Sequence, residues 1–120
     1  MALRFEQIVV DASDPKALAA WWQEALGWEL TFASDDTDDD PEYEIAPDGQ
    51  SHPSLLFLHV PEAKTVKNRL HFDFVPDDQA AEVARLEALG ATRTEVGQQD
   101  VTWVVLADPE GNEFCILSAR

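Results

Sequence analysis

EALGWELT (residues 24–31) returns 63 residues later as EALGATRT (residues 87–94). Five of the eight positions agree, including all of E-A-L-G and the threonine four residues past the glycine. E-A-L-G alone is a common way to end a helix, so the surroundings of each copy decide the reading. Before the first copy, Ala17, Leu18, Trp21, Trp22, Ala25 and Leu26 recur at helical spacing. Ser13-Asp14-Pro15 supplies a helix start, with proline early, where no N–H donor is needed. Gly27 suits a left-handed cap. Before the second copy, Pro76-Asp77-Asp78 opens a helix, and Ala80, Val83, Ala84 and Leu86 form its inner face. Leu89 closes that helix and Gly90 caps it.

The repeat extends outward. Strand-like runs precede the helices at residues 4–12 and 69–75. Two more strands follow each helix, at 28–34 and 42–46, then at 91–96 and 101–107. Each second one enters a proline-acid-glycine-amide turn: Pro47-Asp48-Gly49-Gln50 and Pro109-Glu110-Gly111-Asn112, 62 residues apart. A last apolar strand follows each turn (54–60 and 113–118). Each half therefore reads β-α-β-β-β, and a period this long marks duplication of a supersecondary unit. The expected fold is α+β: one domain spanning residues 1–120, with an internal repeat at 1–61 and 66–120. Its two tandem βαβββ modules are expected to form an eight-stranded, curved, cup-shaped mixed sheet with helices outside.

Composition bounds the function classes. Twenty-four acidic residues against eight basic ones give a formal net charge of −16. That field repels phosphate backbones and anionic membranes, so neither nucleic acid nor membrane is an expected partner. No apolar run approaches the ~20 residues of a membrane span. The opening MALRFEQIVV lacks a basic n-region and a cleavage site, so a cytoplasmic location is expected. The acidic stretch 35–44 is not a calcium loop: counted from Asp36, its sixth position is Pro41 and its twelfth is Pro47. It reads as a solvated loop.

LADPEGNEFCIL (residues 106–117) and the strand-acid-helix-L-G opening of each half resemble the vicinal oxygen chelate superfamily. This is the group of glyoxalases, bleomycin resistance proteins and extradiol dioxygenases. The stretch VPEAKTVKNRLHFDF (residues 60–74) is similar to a small glyoxalase-like subgroup. The resemblance implies the paired βαβββ fold, a homodimer, and a cup that binds a small molecule and in many members a divalent metal. Four ligands, of the types His or Gln, Glu, His and Glu, come from the first and last strands of each half. Carried over, the first-strand positions fall on Gln7 and His71, seven residues before Asp14 and Asp78. The final-strand position falls on Cys115, where the family has Glu. The fourth lies on residues 54–60, where the ligand-capable side chain is His59.

Strand alternation puts His71 and Asp73 on one face and Leu70, Phe72 and Phe74 on the other. His71 with Asp73 reads either as a catalytic pair able to move protons near neutral pH or as a ligand-binding histidine. Cys115 reads either as a buried small hydrophobe or as a thiol activated by His71. Lys64, Lys67 and Arg69 form a basic cluster: an anion-binding rim, or cations pairing with acids where the modules join. Asn68 could anchor the same linker. Trp103 offers an aromatic wall to a ligand. Two functions stay open: a glyoxalase-type lyase or dioxygenase, and a non-catalytic, resistance-type protein sequestering an aromatic or cationic molecule. A third reading is a relic scaffold.

Overall fold

The computed structural model describes residues 2–35, 37–94 and 101–120. The chain divides into two units, Met1–Ala63 and Lys64–Arg120. In the first, β1 (Gln7–Ala12), α1 (Pro15–Leu26), β2 (Glu29–Ala33), β3 (Glu42–Ala46) and β4 (Ser54–His59) follow one another. The sheet order is β1-β4-β3-β2, with β1 parallel to β4 and the other pairs antiparallel. The second unit repeats this with β5 (Phe72–Phe74), α2 (Gln79–Ala88), β6 (Thr92–Arg93), β7 (Val104–Ala107) and β8 (Glu113–Ile116), ordered β5-β8-β7-β6. The eight expected strands are thus hydrogen-bonded as two four-stranded mixed sheets, one in each βαβββ unit.

The repeated phrase ends both helices in the same way. Gly27 has φ 69° and Gly90 φ 114°, values that favour a residue without Cβ. In each case the next residue bonds five back: Trp28 N–H to the Gln23 carbonyl (3.3 Å) and Ala91 N–H to that of Leu86 (3.0 Å). The starts also match. The Asp14 carboxylate accepts from Ala17 N–H and that of Asp78 from Ala81 N–H, both at 3.1 Å.

In the first unit α1 packs on β3 and β4. Leu18, Ala19 and Trp22 from the helix, with Tyr43, Ile45, Leu55 and Phe57 from the strands, are buried. Each large side chain contributes on the order of 1.5–3 kcal/mol by leaving water. Trp22 is core, and Trp21 meets it edge-on at 4.9 Å. In the second unit α2 packs on β8. Val83, Leu86, Leu106, Phe114 and Ile116 are buried there. Phe74 meets Phe114 edge-on at 6.0 Å.

Two expectations need correction. The strand expected over 69–75 shortens to Phe72–Phe74, and Leu70 is 84% exposed instead of packing with Phe72 and Phe74. The ladder explains this. Phe72 pairs with Phe114, and β8 begins at Glu113, so residue 70 has only the turn beside it. The strand expected over 101–107 begins at Val104, leaving Trp103 outside it. Ala80 and Ala84 of α2 are exposed, not inner. Residues 95–96 of another expected strand, and Asp36 of the acidic loop, lie outside the described residues. Among the described residues no helix is long and apolar enough to cross a membrane.

Candidate functional site

The parallel pairing of β5 with β8 assembles a polar cluster. Asp73 and Cys115 are direct partners across the ladder, so their side chains share a face. His71, just before β5, brings its ring to the same two side chains. Its Nδ1 lies 3.3 Å from Asp73 Oδ1 and 4.0 Å from Cys115 Sγ. One donor atom from each of the three residues falls within 4.8 Å of the others. His71 and Asp73 are exposed, whereas Cys115 is 6% exposed. Phe72, Phe74 and Phe114 take the alternate positions, so the aromatic packing is built without His71 and Asp73, whereas Cys115 is itself buried.

Cys115 keeps its proton at neutral pH. Burial pushes its thiol up to about 11, helped by the Asp73 charge and hydrogen bond and opposed by the Lys67 charge. The shift weighs against a thiol activated by His71. Burial is the main cause and the neighbouring carboxylate adds to it, which favours the alternative of a buried small hydrophobe.

The Asp-Pro-Glu-Gly-Asn turn has a structural task that spacing alone did not show. Asp108 is buried, and its Oδ1 accepts from the N–H groups of Glu110 and Asn112, both at 2.9 Å. Asn112 thereby presents its side-chain carbonyl to Asn68 Nδ2 at 2.8 Å. Next to it, Glu113 accepts from Lys64 Nζ (2.7 Å) and from Asn68 N–H (2.9 Å). The Glu113 and Lys64 side chains are 8% and 20% exposed. Of the basic cluster, Lys64 is thus engaged by an acid and Asn68 anchors the chain, while Lys67 and Arg69 are exposed.

In the first unit, Gln7 pairs with Ser54, Val9 with Leu56, and Ala12 with His59. Parity then places His59 on the face opposite Gln7, so the two cannot serve one site on that sheet. The same ladder locates the fourth family position. Val9 stands two residues after Gln7, as Asp73 stands two after His71, and their partners are Leu56 and Cys115. Leu56 therefore corresponds to Cys115. A carboxylate does reach the Gln7 face, but from the neighbouring strand: Glu44 on β3 pairs with Leu56. Its two oxygens are taken by Thr31 Oγ1 (2.5 Å) and buried Ser54 Oγ (2.9 Å). Alternation along EYEIA was the one sequence signal for Glu44, and it lacked a register.

These residues fit poorly the hard-metal centre that the resemblance implies. Its four positions carry Gln7, Leu56, His71 and Cys115. One cannot ligate, one is a soft sulfur, and none is a carboxylate. Magnesium and manganese select oxygen-rich octahedral sites.

A family profile described as "Glyoxalase-like domain" matches residues 7–117. Several solved structures are similar. The trypanothione-dependent glyoxalase I of Leishmania major is 16% identical, with a TM-score of 0.75, covering 98% of this chain and 87% of that one. A variant of the fosfomycin resistance protein FosX of Listeria monocytogenes, complexed with Mn(II) and 1S,2S-dihydroxypropylphosphonic acid, is 16% identical at TM-score 0.73, covering 100% and 95%. TnmS3, an antibiotic binding protein from a Streptomyces species, is 19% identical at TM-score 0.64, covering 100% and 99%. No curated protein sequence matches the chain. At these identities the structural likeness speaks for the fold.

Proposed function

The chain belongs to the glyoxalase-like family, and from that premise we propose that it binds a small organic molecule without the Mn(II) chemistry of the FosX type. The observation that carries this reading is the pair of positions at Leu56 and Cys115, where the family's hard carboxylate ligands would stand. What remains is a ligand-binding face. His71, just before β5, and Asp73 on it offer polar contacts, Trp103 an exposed ring for stacking, and Lys67 and Arg69 charge for an anionic substituent. The net charge of −16 favours approach of a cationic, aromatic molecule by electrostatic steering. The likeness to an antibiotic binding protein supports the same class. We also infer homodimer assembly in the cytoplasm. Support comes from edge strand β2, whose Leu30 and Phe32 are 47% and 53% exposed; sedimentation as a monomer would refute it.

The test is thermal melting of the purified chain with bleomycin as the cationic, aromatic probe. Fosfomycin with and without added Mn(II) serves as the contrast. Stabilisation by bleomycin and no fosfomycin consumption are expected. Manganese-dependent consumption of fosfomycin would sink the reading. A second reading, glyoxalase-type proton transfer, draws on the 3.3 Å approach of Asp73 to the His71 ring. Isomerisation of a glutathione hemithioacetal that survives in His71→Ala would discard it.

A further inference from the structure

The two modules share one architecture, so a side chain that only one of them carries stands apart from what the fold requires. Helices α1 and α2 each begin directly after a capping aspartate, at Pro15 and Gln79. Strands β3 and β7 each begin directly after a residue outside any strand, Pro41 and Trp103. The first unit thus has proline at both places, where the second has an amide and an indole. We propose that the two departures belong together: Gln79 is a positioning residue that holds Trp103 in place for a flat aromatic group of the bound molecule. The proposal rests on the small-molecule reading above and adds to it a residue outside the β5–β8 cluster.

Hydrogen bonds carry the argument. Gln79 Nε2 donates to the Thr102 carbonyl at 2.8 Å and to the Ile116 carbonyl at 3.0 Å. Both partners only accept, which fixes the nitrogen as the atom that meets them. A side-chain amide nitrogen has two hydrogens, and both go to the main chain of other segments. The helix start does not call on them, because the Asp78 carboxylate already accepts from Ala81 N–H. Thr102 immediately precedes Trp103, and Val104, which follows it, is the ladder partner of Ile116. Trp103 is therefore tied on both sides to the end of β8, through the Gln79 amide at residue 102 and through the ladder at residue 104.

Such a tie matters most for a ring that the core does not hold. Trp103 is 41% exposed, so its place depends on the backbone beneath it. An aromatic face fixed beforehand spares the complex the cost of ordering it on binding. The first unit shows that the fold does not need the device. With Pro15 where the second unit has Gln79, the same order of helix and strands forms, and Pro41 has no ring to hold.

The experiment uses the full chain labelled with fluorotryptophan, at first without ligand. The four tryptophans give four fluorine lines, and Trp103→Phe identifies the line of residue 103. Gln79→Glu keeps the length of the side chain but only accepts. An acid in the first turn suits a helix start, so α2 should stay intact. The Trp103 line should move toward that of free fluorotryptophan, while those of Trp21, Trp22 and Trp28 stay in place. Gln79→Lys, whose ammonium can donate to both carbonyls, should return the line. Bleomycin is then titrated by calorimetry. Gln79→Glu should bind it about tenfold more weakly than wild type, and Gln79→Lys about as well as wild type. In the Trp103→Phe background the effect of Gln79→Glu should shrink, since the ring it acts through is altered. An unmoved Trp103 line in Gln79→Glu, an equally displaced line in Gln79→Lys, or an undiminished affinity loss in the Trp103→Phe background would each overturn the proposal. If Gln79→Glu fails to fold, Gln79→Ala measured in the same way decides. Absence of bleomycin binding by the parent protein would sink the reading above, and the ligand-free fluorine line would still decide whether Gln79 holds the ring.

Discussion

Consider the ion pair that ties residue 64 to the start of β8. Glu113 holds two donors, Lys64 Nζ at 2.7 Å and Asn68 N–H at 2.9 Å, and both charged side chains are largely out of water. Replacing Lys64 by Met leaves the carboxylate buried without the cation that neutralises it. Stranding one member of a fully buried pair costs about 3–5 kcal/mol. Because Lys64 keeps 20% exposure, the expected loss is lower, about 2–3 kcal/mol. Glu113→Gln keeps the carbonyl that accepts from Asn68 and loses only the charge-assisted bond, a cost of about 1.5–2 kcal/mol. The double variant removes both charges, so it should lose less than the sum, with a coupling on the order of 1–2 kcal/mol. The pH dependence has a definite sign. Burial raises the Glu113 carboxyl, but the Lys64 hydrogen bond, the Asn68 N–H and the Lys64 charge together hold it below its ordinary value. A lowered folded-state value means that the stabilisation is fully present above the unfolded glutamate value. It is lost as pH falls through the folded one. Urea unfolding at neutral pH and in acid, with slopes compared between variants, reads all of this. A Lys64→Met loss under about 0.5 kcal/mol, the usual range of a neutral surface change, would refute the reasoning. So would a gap between wild type and Glu113→Gln that widens in acid.

Other outcomes follow from the same geometry. Phe114→Ala, at a site 1% exposed, should cost about 3–5 kcal/mol, whereas exposed His71→Ala should stay within about 0.5 kcal/mol; equal melting-point losses would make His71 a core residue. In metal-free protein the Cys115 thiolate absorbance should appear only as pH approaches about 11, and Asp73→Asn should move it lower; a midpoint near the free-cysteine value of about 8.5 would contradict the burial argument. Asp14→Ala and Asp78→Ala should each cost about 1 kcal/mol of stability through the lost cap, and a silent result at both would separate the caps from helix stability. Gly27→Ala should destabilise by about 1–2 kcal/mol, because space is open around it but its φ of 69° is not; a neutral melting point would count against strain there.

The likeness of the two halves was legible because it rests on local signals. Asp14 and Asp78, Gly27 and Gly90, and the paired turns act within a few residues of chain, and caps and turns need no distant partner to be recognised. The alternation of His71 and Asp73 against Phe72 and Phe74 was readable for the same reason. So was the mismatch of Cys115 with the resemblance, since counting from Asn112 fixes that position. The expected reach of Leu70 into the core failed because strand length depends on the partner strand, and β8 starts too late to pair with it.

From the sequence alone, the duplication, the module pattern, the acidic field and the departure from a hard-metal ligand set were determined, since each depends on residue type and short-range spacing. Only the tertiary structure decided the long-range registers. It set Val9 opposite Leu56 and Asp73 opposite Cys115, and turned His59 away from Gln7. It brought Glu44 to Ser54, and closed Glu113 over Lys64 and Asn68. A slip of one residue in a ladder exchanges every side chain between the two faces of a sheet. The composition of the candidate site therefore lay in pairings between separate strands, with Val9–Leu56 and Asp73–Cys115 each more than 40 residues apart in the chain, which no local pattern encodes.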